Sequence, residues 1–187
     1  MSDSTTHPRP LLRFGVDEIN RAAVTWGCNC GPAALAACMG LDLDEVRPNL
    51  GRFEQLGYMS REMMFESVVK LGFRCREDLV ADQDGVDRYP GHGLSLMQFG
   101  GPWIEGPKAN PKWAKTNTHW IACKIVGIHT WIFDVNCFGW TSFQRWSEGL
   151  VPALIKANKL RDGTHWLINS WEVRRIERRP SNRRRQS

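Results

Sequence analysis

The sequence predicts an α+β fold in which helices come first and an antiparallel sheet follows. Three observations support this prediction. The chain has 187 residues, the size of one domain, and 42% of them are hydrophobic, enough to fill a core. The first half contains apolar segments that favour helices. After residue 90 the amino-acid composition changes, and four segments are rich in β-branched and aromatic residues, which is typical of strands.

The best-defined helix is predicted over residues 32–39, PAALAACM. These residues favour a helix and are apolar on every face, so the helix should be buried. Pro32 suits a first helical turn and Gly40 suits the stop. A short helix or turn over residues 16–25 is expected to lead into this segment.

A second helix is expected to begin after Ser60, which can cap it, and to run to about Leu71 before Gly72. The N-terminal half is therefore predicted to contain two helices. The apolar residues predicted to face the core are Met63, Met64, Phe65, Val68, Val69 and Leu71. Those left for solvent are Arg61, Glu62, Glu66 and Lys70.

The strand candidates are GLSLMQF, HWIACKIV, HTWIFDV and THWLINSWEV. A further helix around residues 142–158 is expected to interrupt them. Residues 100–118 hold three prolines and no apolar period, which is typical of a long loop that forms a lid or binding surface. In this loop Trp103 and Trp113 are expected to flank a cleft.

The net charge of +5 is unevenly distributed. Residues 173–187 contain seven arginines and one glutamate, so they carry +6 and the remaining chain carries −1. We expect a flexible lead over residues 1–12, one domain over 13–173 and a disordered basic tail over 174–187. Such a tail could contact nucleic acid or an acidic partner weakly, through salt-sensitive electrostatics.

The compartment is predicted to be the cytoplasm. The first residues, MSDSTTHPRP, lack the basic-then-apolar order of a secretory signal. No apolar run approaches the roughly 18 residues that span a membrane. The six cysteines are dispersed, as expected of free thiols, and most should be small buried hydrophobes. A zinc site built from Cys28, Cys30, Cys38 and His119 is a weak alternative, so no cofactor is predicted.

Cys30 is the candidate nucleophile. It lies immediately before Gly31, Pro32 and the buried helix, where free N–H groups and the helix dipole stabilise a thiolate. Its own N–H could point at a developing oxyanion. Cys28 is the rival, but it would lie outside the helix and lose that stabilisation. Cys38, inside the helix, is most simply a packing residue.

His119 is the candidate base and Asp134 its orienting partner. If Val126 and Gly127 form a tight turn, the two strands pair so that His119 faces Asp134. A carboxylate there would accept the imidazole N–H and leave the other ring nitrogen for the thiol, which is the logic of a nucleophile–base–orienter triad.

These segments resemble a known family. Residues 30–36, CGPAALA, resemble the nucleophile segment of bacteriocin-processing C39-like peptidases, a branch of the papain-like cysteine proteases. Residues 118–121 resemble the family's His strand, and residues 132–136 resemble its Asp strand. Residues 139–149 resemble the helix that follows. The resemblance spans residues 26–150 and implies a papain-like fold with Cys30, His119 and Asp134 as the catalytic triad.

The chain departs from the family at two points. The family's oxyanion-hole Gln stands six residues before the Cys, where this sequence has Val24. Asn20, Asn29, Gln98 or the Trp26 indole could substitute for it. In addition, residues 169–171, Asn-Ser-Trp, resemble the segment that papains place after their His, which leaves Asn169 open as an alternative orienter.

The leading hypothesis is therefore a cysteine peptidase, or related thiol acyl-transfer hydrolase, that cleaves an amide bond in a peptide or protein. Such a domain fits a bacterial or phage origin. Two alternatives stay open. One is a catalytically degenerate protein-binding module of the same fold, and the other is a nucleic-acid-associated protein that uses the arginine tail. The substrate and the oligomeric state do not follow from the sequence.

Overall fold

The computed structural model describes residues 8–78, 89–99, 118–157 and 165–176, and the fold is α+β. The N-terminal helices are α1 (Val16–Trp26), α2 (Cys30–Met39), α3 (Leu43–Val46), a 3₁₀ turn (Arg47–Asn49), α4 (Phe53–Leu56) and α5 (Arg61–Lys70). The strands are β1 (Phe73–Asp78), β2 (His92–Phe99), β3 (Thr118–Val126), β4 (His129–Asp134), β5 (Gly139–Ser142) and β6 (His165–Arg175). The predicted loop with Trp103 and Trp113, most of the lead and most of the tail lie outside the described residues. The predicted start of the disordered tail was wrong, because Arg174 and Arg175 pair with β1 as the last residues of β6.

A third helical segment lies between β5 and β6 and covers residues 143–157. It consists of an α-helical turn (Phe143–Arg145), a π-helical turn (Trp146–Leu150) and an α-helix (Val151–Ala157). We refer to it as the C-terminal helical segment. Among the described helices, none has the length and apolar character needed to cross a membrane.

The six strands form one antiparallel sheet in the order β1-β6-β2-β3-β4-β5. Helices pack on both faces of this sheet. The N-terminal helices pack on one face, where Leu35 of α2 meets Leu94 and Phe133 of the sheet in one core. The C-terminal helical segment packs on the other face, where Trp146 and the strands form a second core. The prediction of helices first and an antiparallel sheet afterwards is confirmed.

Helix α2 lies at the centre of the first core because nothing on its surface requires water. Its residues from Gly31 to Cys38 are buried. Asn29 caps the helix by accepting a hydrogen bond from the Gly31 N–H at 3.2 Å, and Gly40 ends it with φ of +65°. The observed helix therefore begins two residues earlier than the predicted one, and Cys30 is its first residue.

The sequence predictions missed four short elements: α3, α4, β1 and β5. Helix α5 begins after Ser60, as predicted, and Ser60 accepts a hydrogen bond from the Met63 N–H. However, Phe65 and Val69 are about half exposed, whereas Ser67 is buried. The apolar face predicted for α5 was wrong at Phe65 and Val69. Ser67 can be buried in their place because its hydroxyl lies within hydrogen-bonding distance of two main-chain carbonyls.

The predicted register of the β3–β4 hairpin is wrong. The strands turn at Gly127 and Ile128, and Val126 pairs with His129. Gly127 has φ of +62°, as the first position of a type II′ turn requires. Each residue is therefore opposite one that lies two positions beyond the predicted partner. A slip of two preserves the face of every side chain, so His119 and Asp134 are diagonal neighbours instead of a facing pair.

Candidate active site

Cys30 lies at the N-terminus of α2 and is half-buried. The helix can approach the sheet closely here because the next residue is Gly31. A Cβ atom at Gly31 would lie 2.5 Å from the Cβ of Met59 and 3.5 Å from the Trp120 ring. The Trp120 indole donates a hydrogen bond to the Met59 carbonyl at 2.9 Å, which fixes this contact. The absence of a side chain at Gly31 therefore sets the position of the Cys30 sulfur over β3.

The Cys30 sulfur receives two hydrogen bonds from β3. One comes from the His119 side chain and the other from the main-chain N–H of Trp120. His119 is buried, and its Nε2 lies 2.9 Å from Oδ2 of Asp134. Because Nε2 is directed at Asp134, Nδ1 is the ring nitrogen that remains for the sulfur. The structure therefore brings together all three predicted site residues.

Asp134 is fully buried at the end of β4 and is held by donors on both oxygens. Oδ2 accepts from His119 and also from the Trp146 indole at 2.9 Å. Oδ1 accepts from the main-chain N–H of Asn136 at 2.9 Å and from its side-chain Nδ2 at 3.0 Å. A buried carboxylate with this number of donors is stable as an anion.

The pKa values in the site favour a thiolate–imidazolium pair. Burial raises the pKa of Cys30, but the charge and hydrogen bond of His119 and the Trp120 N–H outweigh it, so that pKa lies below 9.0. Burial lowers the pKa of His119, but the charges of Asp134 and Cys30 and their hydrogen bonds raise it to about 10. Burial raises the pKa of Asp134, whereas His119, Trp146 and Asn136 bring it below 3.8.

Cys28, which precedes α2, and Cys38, which lies within it, lack this environment. Burial and the nearby Cys30 raise the pKa of Cys28 to about 12, and burial raises that of Cys38 well above 9.0. Both residues are buried packing residues in the first core. Within the described residues, no three His, Cys, Asp or Glu side chains are grouped in a way that could hold a metal ion.

The residues considered as oxyanion donors lie in different environments. Val24, in the place of the family's Gln, is 88% exposed on α1, and Asn20 is also exposed. The Asn29 side chain is engaged at both ends, since its Nδ2 donates to the Gly57 carbonyl at 3.1 Å and its Oδ1 caps α2. Trp26 is buried with its ring edge against Phe53.

Gln98, the remaining candidate, is buried on β2 opposite Thr118, next to the His119 position. The donor closest in sequence to the sulfur is the N–H of Cys30 itself, in the first turn of α2.

Asn169, the alternative orienter, lies on β6. Strand β2 separates β6 from β3, and Leu96 of β2 pairs with Asn169 on one side and with Trp120 on the other. Two strand spacings place the backbone of Asn169 about 10 Å from that of β3. Asp134 is the residue that contacts the imidazole.

Sequence reasoning missed the roles of Asn136 and Trp146 as partners of Asp134. Asn136 acts because the chain turns directly after β4 into a 3₁₀ turn (Val135–Cys137), and Asp134 caps that turn. Phe138 ends the turn with φ of +53°, an uncommon conformation for a bulky residue. The Asp-x-Asn pattern is a local signal for such a turn, whereas Trp146 is brought to Asp134 by tertiary packing and has no local signal.

A comparison with models of known protein families gives no match, and no curated protein matches the sequence significantly.

Proposed function

We propose that this protein is a cysteine hydrolase that cleaves amide bonds in peptides or proteins. The observation that carries the proposal is the continuous chain of contacts from the Cys30 sulfur through His119 to Asp134, in which the pKa values favour a thiolate. Cys30 is partly exposed, whereas His119 and Asp134 are buried. A papain-like fold, suggested by the sequence resemblance, is part of the same proposal.

In the proposed reaction the Cys30 thiolate attacks the carbonyl carbon of the scissile amide. The developing oxyanion accepts a hydrogen bond from the Cys30 N–H at the start of α2. The carbon–nitrogen bond then breaks, the His119 imidazolium gives its proton to the leaving amine, and the acyl group remains on sulfur as a thioester. Water attacks the thioester while His119 takes its proton. Loss of the carboxylate product restores the thiolate and the imidazolium.

The rate of iodoacetamide alkylation as a function of pH tests the proposal directly. The wild-type protein should be alkylated at Cys30 below pH 9.0, because the thiolate is stabilised by His119. Cys30→Ser should lose this fast reaction, and Cys28→Ser is the matched control that should retain it. His119→Ala should move the reaction to the pH range of a free thiol. Fast alkylation seen only near or above pH 9.0 would contradict an activated nucleophile.

Turnover distinguishes a hydrolase from a binding module with the same fold. A pool of internally quenched peptides should be cleaved by the wild-type protein and by Cys28→Ser but not by Cys30→Ser. A module that only binds partners would show an ordinary thiol pKa at Cys30. Its partner binding would survive Cys30→Ala.

A further inference from the structure

Exposed arginines are concentrated on β1 and β6, at one edge of the sheet. Arg74 and Arg76 of β1 and Arg174 of β6 are exposed, and strand alternation puts them on the same face. We call these three residues the arginine face. Together with Cys75 and Glu172 they line a shallow cavity of about 310 Å³.

Two of the three arginines of this face lie directly side by side. Arg74 pairs directly with Arg174 across the two strands, an arrangement in which like charges repel. Glu172 lies opposite Arg76, and its Oε1 accepts the Gly91 N–H at 2.8 Å. An anion bound between Arg74 and Arg174 would remove the repulsion that folding leaves there.

Positive charge also continues from this end of the sheet into the sequence that follows. The N–H of Ile176 donates to the Gly72 carbonyl at 3.0 Å, which ties the end of β6 to the start of β1. Residues 177–187 then contain five arginines, one glutamate and no aromatic residue. The two acidic residues of β1, Glu77 and Asp78, end that strand at its far end. Exposed Arg74, Arg174 and Arg175 therefore lie at the end where Phe73 pairs with Arg175.

We infer that the arginine face binds the phosphate backbone of a nucleic acid. Guanidinium groups bind phosphate oxygens in a bidentate manner. Arg74 and Arg76 are about 7 Å apart along the strand and Arg174 is about 5 Å across it, so the face presents a row of donors to successive phosphates. Among the described residues that line the cavity none is aromatic, so bases have no stacking surface and binding is independent of sequence. Cys30 and His119 take no part, so the inference is independent of the hydrolase proposal.

The test is fluorescence anisotropy with a labelled 30-nucleotide single-stranded DNA of mixed sequence and the full chain, titrated at several salt concentrations. The double variant Arg74→Glu, Arg174→Glu should bind at least tenfold more weakly at low salt. Its slope of log K against log salt should be shallower by about 1.4, since two phosphate contacts are lost at about 0.7 each. The control Arg21→Glu, Arg52→Glu has the same change in net charge at exposed residues of the helical layer and should stay within threefold of wild type.

The double variant Arg74→Gln, Arg174→Gln serves as a milder version if the charge reversal impairs folding, and it should show the same loss in slope. If both arginine-face variants bind like the control pair, the face is not the binding site and the inference is overturned. Polyglutamate that displaces the DNA at equal charge concentration would also overturn it, because the site would then prefer an acidic polypeptide.

Discussion

At the scale of single residues, the site depends on how Asp134 is kept ionised inside the protein. Burial without partners would neutralise a carboxylate, but Asp134 accepts from His119, Trp146 and Asn136. The negative charge is thereby fixed beside the imidazole, and it holds the proton on His119 that in turn stabilises the thiolate. Asp134 therefore lowers the pKa of Cys30 indirectly, by raising the pKa of His119.

Replacing Asp134 by Asn should lower the pKa of His119. Burial already lowers that pKa, and the Asp134 charge is the largest of the effects that raise it to about 10. We expect a fall of at least about one unit, the usual effect of removing an adjacent opposite charge. NMR titration of the His119 ring protons, assigned by their loss in His119→Gln, measures it.

Asn169→Ala is the control for this experiment. Asn169 is also buried, but it lies on β6, with β2 between it and the strand of His119. The His119 titration should be unchanged in this variant. A shift in Asn169→Ala as large as that in Asp134→Asn would show that Asn169 orients the imidazole instead.

At the scale of elements, the site is assembled where the N-terminus of α2 meets β3. The contact is close because Gly31 packs on Met59, and because Met59 is tied to Trp120 by the indole hydrogen bond. Cys30 directly precedes Gly31, and His119 directly precedes Trp120. The packing of helix on strand thus sets the distance between the proposed nucleophile and its proposed base.

Gly31→Ala should impair the reactivity of Cys30 more than it impairs folding. The new Cβ would clash with Met59, which is hydrogen-bonded to Trp120 of β3, so the start of α2 should shift relative to Met59 and displace the sulfur from His119. We expect the alkylation rate at pH 6 to fall at least tenfold and the free energy of unfolding to fall by about 1–3 kcal/mol, the usual cost of overpacking. Urea denaturation and alkylation under native conditions measure the two effects.

Gly40→Ala is the matched control at the other end of α2. Gly40 has φ of +65° and no atom within 4 Å of a built Cβ, so the substitution strains the helix end without a clash. It should cost about 1–2 kcal/mol of stability, the usual penalty for a residue with a Cβ in the left-handed conformation. Alkylation of Cys30 should be unchanged, and an equal loss of reactivity in both variants would show that general loosening of α2 is responsible.

Local sequence signals predicted the elements that carry the site better than they predicted its connections. The caps Ser60 and Gly40 and the period-2 strands were sufficient to place α5, the end of α2 and β3. The hairpin register failed because Gly127 can occupy either turn position; in the structure it occupies the first and Ile128 the second. The Trp146 contact could not be predicted, since it joins a π-helical turn to β4 through packing on the far side of the sheet.

At the scale of the whole molecule, Cys30 and His119 form one proton-binding unit across two layers. In the folded protein the proton of this pair resides on His119, whose pKa is about 10, because the pKa of Cys30 is below 9.0. In the unfolded chain the histidine has its ordinary pKa of 6.5 and the thiol of 9.0. Above the lowered pKa of Cys30 and between those two pH values, folding therefore moves a proton from sulfur to nitrogen without changing the number bound.

This exchange predicts how Cys30→Ser changes the pH dependence of stability. The His119 contribution is complete below pH 6.5 and is lost as pH rises through its folded pKa, whereas that of Cys30 is complete above pH 9.0 and is lost as pH falls through its own. In the wild type the two offset each other between pH 6.5 and 9.0, provided that the pH stays above the lowered pKa of Cys30.

In Cys30→Ser only His119 titrates, so stability should fall with rising pH by at most about 1.4 kcal/mol per unit relative to wild type. Urea denaturation of both proteins across this range measures the difference, in which all other titrating groups cancel. Parallel curves would mean that Cys30 keeps its proton in the folded protein and that no thiolate–imidazolium pair exists.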